Sequence, residues 1–259
     1  MFLNNNIFYM HFRTIINPRA NIIITHGLGE SSLDYLHIAD FYFRNNYNVI
    51  LYDVRGHGKS EGKKGDIYNF HILLDDLKLI VDYVKQKYPF KVILIGHSMG
   101  GIIVNCYLTK YSNVEGAIVS SAPFKSLQNK NLRYPLYSLN FFKKKRVNFS
   151  SGKIAHFPLD DGYYPYRLEY VSYRLLRNLL ILSINYLKKR FFLYKTPILF
   201  VYSITDPIVS YKDGILISNN VFSQDKTLIL YKNSYHNLFH DIELQKVLQD
   251  TLTWLKHRF

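Results

Sequence analysis

Four short apolar runs, each closed by turn-forming residues and separated by stretches of helical periodicity, constrain this chain more than any other feature. They are "NIIITHG" (21–27), "NVILYDVRG" (48–56), "KVILIGHS" (91–98) and "VEGAIVSSAP" (114–123). Unbroken Ile, Val and Leu suit strands covered on both faces, as in a parallel sheet flanked by helices. Helix-like patterns fill residues 33–44, 68–87 and 101–111 between them. The rhythm resumes with "TPILFVYSITD" (196–206), a helix-like 211–218, "KTLILYKNSYH" (226–236) and a final helix reaching Trp254. The expected fold class is α/β, a mostly parallel central sheet between helical layers. "IFYMHFR" (7–13) reads as an edge strand ahead of the parallel set, and no internal repeat is visible.

Residues 124–195 interrupt this order. A structureless loop of that length is unusual in a compact domain. The chain of 259 residues is therefore read as a core, 1–123 with 196–259, carrying an inserted lid at 124–195. The insertion is rich in Tyr, Phe, Lys and Arg, its only acids being Asp160, Asp161 and Glu169. Its clearest element is "YRLLRNLLILSINYLKKR" (173–190), a helix pattern with Arg174, Arg177, Asn178 and Asn185 towards one polar edge. Packing of its apolar face on the core is the simpler reading; an interfacial helix lying on lipid is the functional alternative.

The formal charge of +14 can attract nucleic acid, anionic lipid or acidic substrates, although the simpler reading is compositional, Lys, Asn, Ile, Tyr and Phe being abundant throughout, loops included. No nucleic-acid module accompanies it, so that partner is set aside, whereas the basic lid leaves peripheral contact with an anionic membrane as an expectation. A single cysteine, Cys106, excludes an intrachain disulfide and fits a reducing compartment. The amino terminus lacks a signal-peptide pattern and no apolar run approaches the roughly 20 residues of a membrane span. A soluble, cytoplasmic protein is expected. No His/Cys cluster has metal-ligand spacing, so no metal or cofactor is expected.

Chemistry enters at "VILIGHSMGGIIV" (92–104), where Gly96, Ser98 and Gly100 form G-x-S-x-G between a strand and a helix. Such an elbow raises the serine above the carboxyl edge of the sheet, and the helix behind it supplies free N–H groups for a developing oxyanion. A serine nucleophile further needs a base and a group that orients the base. Asp206 ends "ILFVYSITD" and His236 follows "LILYKNSY", both in loops at carboxyl ends of strands. Alone, a loop aspartate is commonly a cap and a loop histidine solvated; the order Ser, acid, His is what points to a triad. His97 is a rival base, expected to point away, and Asp53 is expected to brace the "DVRGHG" turn.

Together "THGLGESSLDY", "YDVRGHGKSEG", "GHSMGG", "SITDPIV" and "YHNLFHD" resemble the monoacylglycerol lipase and lysophospholipase branch of the α/β-hydrolase fold, grouped with the S33 serine peptidases. The resemblance implies Ser98 as nucleophile, Asp206 as acid and His236 as base, with the N–H groups of Leu28 and Met99 forming the oxyanion hole. It implies a lipid ester as substrate, monoacylglycerol or lysophospholipid, cleaved through an acyl-enzyme. Ser203 replaces the glycine usual three places before the acid, the leading strand pair reads as shortened, and the lid matches only in position and size. Two variants keep the same triad: an aminopeptidase of the proline iminopeptidase type, which needs pocket acids, and an acyltransferase. A non-catalytic binding protein is disfavoured by the intact residue set, and dehalogenases and epoxide hydrolases carry aspartate where this chain has Ser98. The sequence assigns Glu30 no role.

Overall fold

The apolar runs do form strands, each shorter than the run that announced it. In the computed structural model, which describes residues 2–3, 8–125, 143–148, 152–157 and 166–259, β1 is Phe2–Leu3 and β2 Phe8–Arg13. The parallel set begins with β3 (Asn21–Thr25), β4 (Asn48–Tyr52), β5 (Val92–His97) and β6 (Gly116–Ser120). A small antiparallel ribbon follows, β7 (Lys144–Arg146) with β8 (Tyr170–Ser172). Then β9 (Ile198–Ser203) and β10 (Lys226–Tyr231) complete an eight-stranded sheet of order β1-β2-β4-β3-β5-β6-β9-β10. All its strands from β3 onward run parallel, while β1 and β2 pair antiparallel.

The helices are α1 (Leu36–Arg44), α2 (His71–Lys87), α3 (Met99–Lys110), α4 (173–188), α5 (Tyr211–Asn220) and α6 (Leu244–Lys256). Period-two alternation divides the sheet's side chains between two layers. Ile23, Val92 and Leu94 join the core under α2, α3 and α4, whereas Ile22, Ile24, Ile93 and Ile95 join the core under α1 and α6. Burial on both faces is the reason these strands carry no polar alternation.

The apolar face of α4 packs on the core, with Leu175, Leu179 and Leu187 buried beside α3. The Cys106 thiol donates to the Ser183 carbonyl at 3.5 Å. One sequence expectation needs correction here. Asn178 is not on a polar edge: it is buried, starts a π-helical turn (Asn178–Leu182), and its Oδ1 accepts the Phe70 N–H at 3.0 Å at the start of α2. The leading strand pair is short, as expected, β1 having only two residues. Ile7, Asp160 and Asp161 lie outside the described residues. Among the described residues no helix is long and apolar enough to cross a membrane.

Candidate active site

The chain leaves β3 for β4 on one side, and β5 lies on the other, so β3 and β5 flank a topological switch point where open α/β sheets leave a crevice. Thr25 pairs with Gly96, so the segments after the two strands emerge side by side. One carries Leu28, the other Ser98.

Ser98 alone turns strand into helix, since β5 ends at His97 and α3 begins at Met99. Its backbone sits at φ 51°, ψ −111°. A non-glycine residue there carries strain of about 1–3 kcal/mol, tolerated only where the surroundings enforce it. A Cβ on Gly96 would stand 2.5 Å from the Gly100 carbonyl oxygen, and one on Gly100 would run into the carbonyls of Thr25 and His26. The two glycines are therefore required by space. The Ser98 N–H donates to the Ser120 carbonyl at 2.8 Å, fixing the elbow to β6.

The fold brings together three side chains that are far apart in the chain. The Ser98 hydroxyl donates to His236 Nε2 at 2.9 Å, and His236 Nδ1–H donates to Asp206 Oδ2 at 2.8 Å. The Asp206 side chain is 0% exposed, and its other oxygen, Oδ1, accepts the N–H groups of Ile208 (2.7 Å) and Val209 (2.9 Å). Ser203 fits where the resemblance has glycine: its hydroxyl donates to the Ser234 carbonyl, linking the strand that leads to Asp206 with the loop that holds His236. Asp53 braces its turn by accepting the N–H groups of Ser32 and Lys59 at 2.7 Å each. His97 does not turn away from the site as expected. It lines the same cavity as Ser98, its ring centre 5.0 Å from that of His236, and burial together with His236 holds it neutral.

That cavity, about 150 Å³, is walled by Leu28, Val147, Ile154 and Ile208. Leu28 follows β3, and Met99 opens α3, whose first-turn N–H groups have no intrahelical acceptor.

Glu30, unassigned from sequence, is the buried hub of the site. One oxygen accepts the Gly27 N–H (2.7 Å) and the Tyr35 hydroxyl (2.6 Å), the other the Asn237 amide (2.9 Å). A single carboxyl thus ties the loop before Leu28 to the residue after His236. Burial, reinforced by Asp34, pushes its pKa up to about 7. The only sequence signal was a carboxylate in a glycine turn, and its partner Asn237 is 207 residues away.

Arg167 is a second such residue. It pairs with Asp34 (Nε to Oδ1, 2.7 Å), the side chains being 4% and 0% exposed, and the Leu168 N–H donates to the Gly29 carbonyl at 2.8 Å. Removing one partner of a buried ion pair leaves an uncompensated charge. Arg167→Met is expected to lower unfolding stability by about 3–5 kcal/mol, read from urea denaturation at pH 7.

Buried neutral histidines set the pH response. Burial lowers the proton affinity of His26 and His97, and brings the pKa of His57 and of His240 down to about 3. Unfolded, these imidazoles take up protons as pH falls through 6.5, while the folded state resists until far lower. Unfolding then binds protons, so stability is lost as pH drops from about 6.5 towards 3, at most roughly 1.4 kcal/mol per pH unit for each group. Glu30 and Asp76, both raised, act in the opposite sense but are outnumbered. The urea midpoint is expected to be lower at pH 5 than at pH 7.

The profile of the family described as serine aminopeptidase, S33, matches residues 16–243. The chain belongs to this family. It is 25% identical over 269 aligned positions to the monoglyceride lipase of Rattus norvegicus, covering 97% of this chain and 87% of the relative. It is 26% identical to the monoacylglycerol lipase of Mycolicibacterium smegmatis, covering 92% and 89%. Among solved structures, a soluble variant of monoglyceride lipase from Saccharomyces cerevisiae, in complex with a substrate analogue, superposes with a TM-score of 0.82 at 22% identity, covering 97% and 92%. The fold is that of the α/β-hydrolases.

Proposed function

We propose that this family member is a serine hydrolase that cleaves carboxylic esters of lipids, monoacylglycerol or lysophospholipid, through an acyl-enzyme. The observation that carries the reading is the continuous Ser98–His236–Asp206 hydrogen-bond chain, 2.9 and 2.8 Å, beside an apolar cavity. As Ser98 Oγ attacks the ester carbonyl, its proton passes to His236 Nε2, and Asp206 stabilises the resulting imidazolium. The oxyanion is received by the N–H groups of Leu28 and Met99. Collapse of the tetrahedral intermediate expels the alcohol, which takes the proton from His236. Water, deprotonated by the same imidazole, then releases the fatty acid and restores Ser98.

Residues 124–195 act, in this reading, as a lid over the core. Val147 and Ile154 support it by contributing apolar wall to the cavity. The exposed run Lys143 to Arg146 immediately before Val147 and the exposed Phe157 favour peripheral contact with an anionic membrane. The aminopeptidase alternative needs a free carboxylate for a substrate ammonium. Among the described residues lining the cavity the one carboxyl is Glu30, and both of its oxygens are occupied.

The test is a panel of monoacylglycerols, lysophospholipids, short water-soluble esters and aminoacyl-arylamides. Fatty acid release from at least one of the two lipid classes is expected. Hydrolysis confined to soluble esters or to arylamides overturns the lipid reading.

A further inference from the structure

A second cavity, about 510 Å³, shares no lining residue with the one beside Ser98. It lies between the start of α2 and the carboxyl-terminal half of α4. One wall is aromatic: the His71 ring packs 4.2 Å from Phe70 and 4.9 Å from Tyr186 between ring centres. Tyr68, 71% exposed, stands at the opening. The cations are Lys189 and Arg190, the guanidinium of Arg190 lying 3.9 Å over the face of Tyr186. Asn69 and Asn185 add amide groups.

No carboxylate is among its described lining residues, and neither Lys189 nor Arg190 has an ion-pair partner among the described residues. The neighbouring Lys110 differs, being neutralised by Asp75. His71, on the wall of the recess, feels the Arg190 charge directly: besides burial, Lys110 and Arg190 weaken its proton binding while Asp75, the partner of Lys110, strengthens it. Basic residues at the end of α4 also complement its dipole, which accounts for their charge. It does not account for a roomy aromatic recess beside them. Arg and Lys beside amide donors and aromatic rings are the groups that hold a phosphate ester with an apolar body.

We infer that this cavity binds an organic phosphate, its anionic group held by Lys189 and Arg190 and its apolar part laid against the Tyr68, His71 and Tyr186 wall. A soluble phosphate ester and the headgroup of an anionic phospholipid present the same chemistry. Phe192 and Leu193, 55% and 40% exposed just beyond Arg190, would enter a bilayer surface in the second case.

Binding of the purified full chain to phenyl phosphate, by calorimetry, and to phosphatidylglycerol against phosphatidylcholine vesicles, by flotation, tests this. The pocket variants are Lys189→Glu with Arg190→Glu and the milder Lys189→Gln with Arg190→Gln. Lys246→Glu with Lys256→Glu changes the net charge as much as the first pair, but on α6. Wild type is expected to bind at least one phosphate probe, and the pocket variants to bind it about tenfold or more weakly, from two lost charge-assisted contacts. The α6 control should bind as wild type does, and all variants should keep wild-type hydrolysis of a short soluble ester, which reports folding. Binding of phenyl phosphate identifies a soluble ester as sufficient; binding of vesicles alone identifies the headgroup. Failure of wild type to bind either probe, or equal weakening by the α6 control, overturns the inference.

Discussion

Ser98→Ala is expected to lower kcat for a soluble ester by on the order of 10⁶-fold, the size seen when the nucleophile of a Ser–His–Asp enzyme is removed. KM should change little, because the hydroxyl touches the reacting carbon and not the acyl chain. Residual turnover above the water reaction would come from the Leu28 and Met99 amides and from binding. Labelling by a fluorophosphonate should disappear together with activity. The variant should remain folded, since alanine accepts the same backbone and the Ser98 N–H bond to Ser120 is a main-chain contact. Among the described residues two other serines share a positive φ: Ser112 (44°), whose hydroxyl donates to the Leu108 carbonyl, and Ser121 (50°), just after β6. The Ser121 hydroxyl is buried and has no hydrogen-bond partner among the described residues, so none of their imidazoles activates it. Labelling that persists in Ser98→Ala would remove Ser98 from the mechanism.

Asp206→Asn should reduce kcat by about 10⁴-fold with little loss of structure. The local hydrogen bonds dictate the outcome. The Ile208 and Val209 N–H groups both point at Oδ1, so the amide oxygen of asparagine must take that place. Its NH₂ then occupies the Oδ2 position, 2.8 Å from His236 Nδ1. Nδ1 must become the acceptor, the proton moves to Nε2, and the imidazole can no longer take the Ser98 proton. The kcat–pH profile distinguishes this from simple misplacement. Activity should recover partly at high pH, where hydroxide replaces the imidazole as base, while KM stays near wild type. A variant retaining near-wild-type kcat would show that Asp206 does not orient the base.

Much of this architecture was legible before any coordinates. Unbroken Ile, Val and Leu runs spaced by helix-length segments admit few arrangements other than a doubly covered parallel sheet, and the strands fall within them. The elbow was legible because a serine that alone joins strand to helix needs small neighbours, and Gly96, Gly100 and Gly101 stand where only they fit. Asp206 and His236 were legible as strand-end residues in the right order, but their meeting with Ser98 rests on the parallel pairing of β5, β6, β9 and β10. Boundaries were less clear: α3 begins at Met99, two residues before the periodic pattern, because the helix opens with the glycines that the elbow demands.

What local sequence determined, then, is the list of elements and the chemistry available at their ends, because strand burial, helix periodicity and turn sterics act over a few residues. What only tertiary structure decided is which polar side chains are buried together. Glu30 meets Asn237, Asp34 meets Arg167, and Asn178 reaches the first turn of α2, each across more than 100 residues. A buried polar group must find a partner wherever packing brings one. That partner is chosen by the three-dimensional neighbourhood, which no periodicity along the chain encodes.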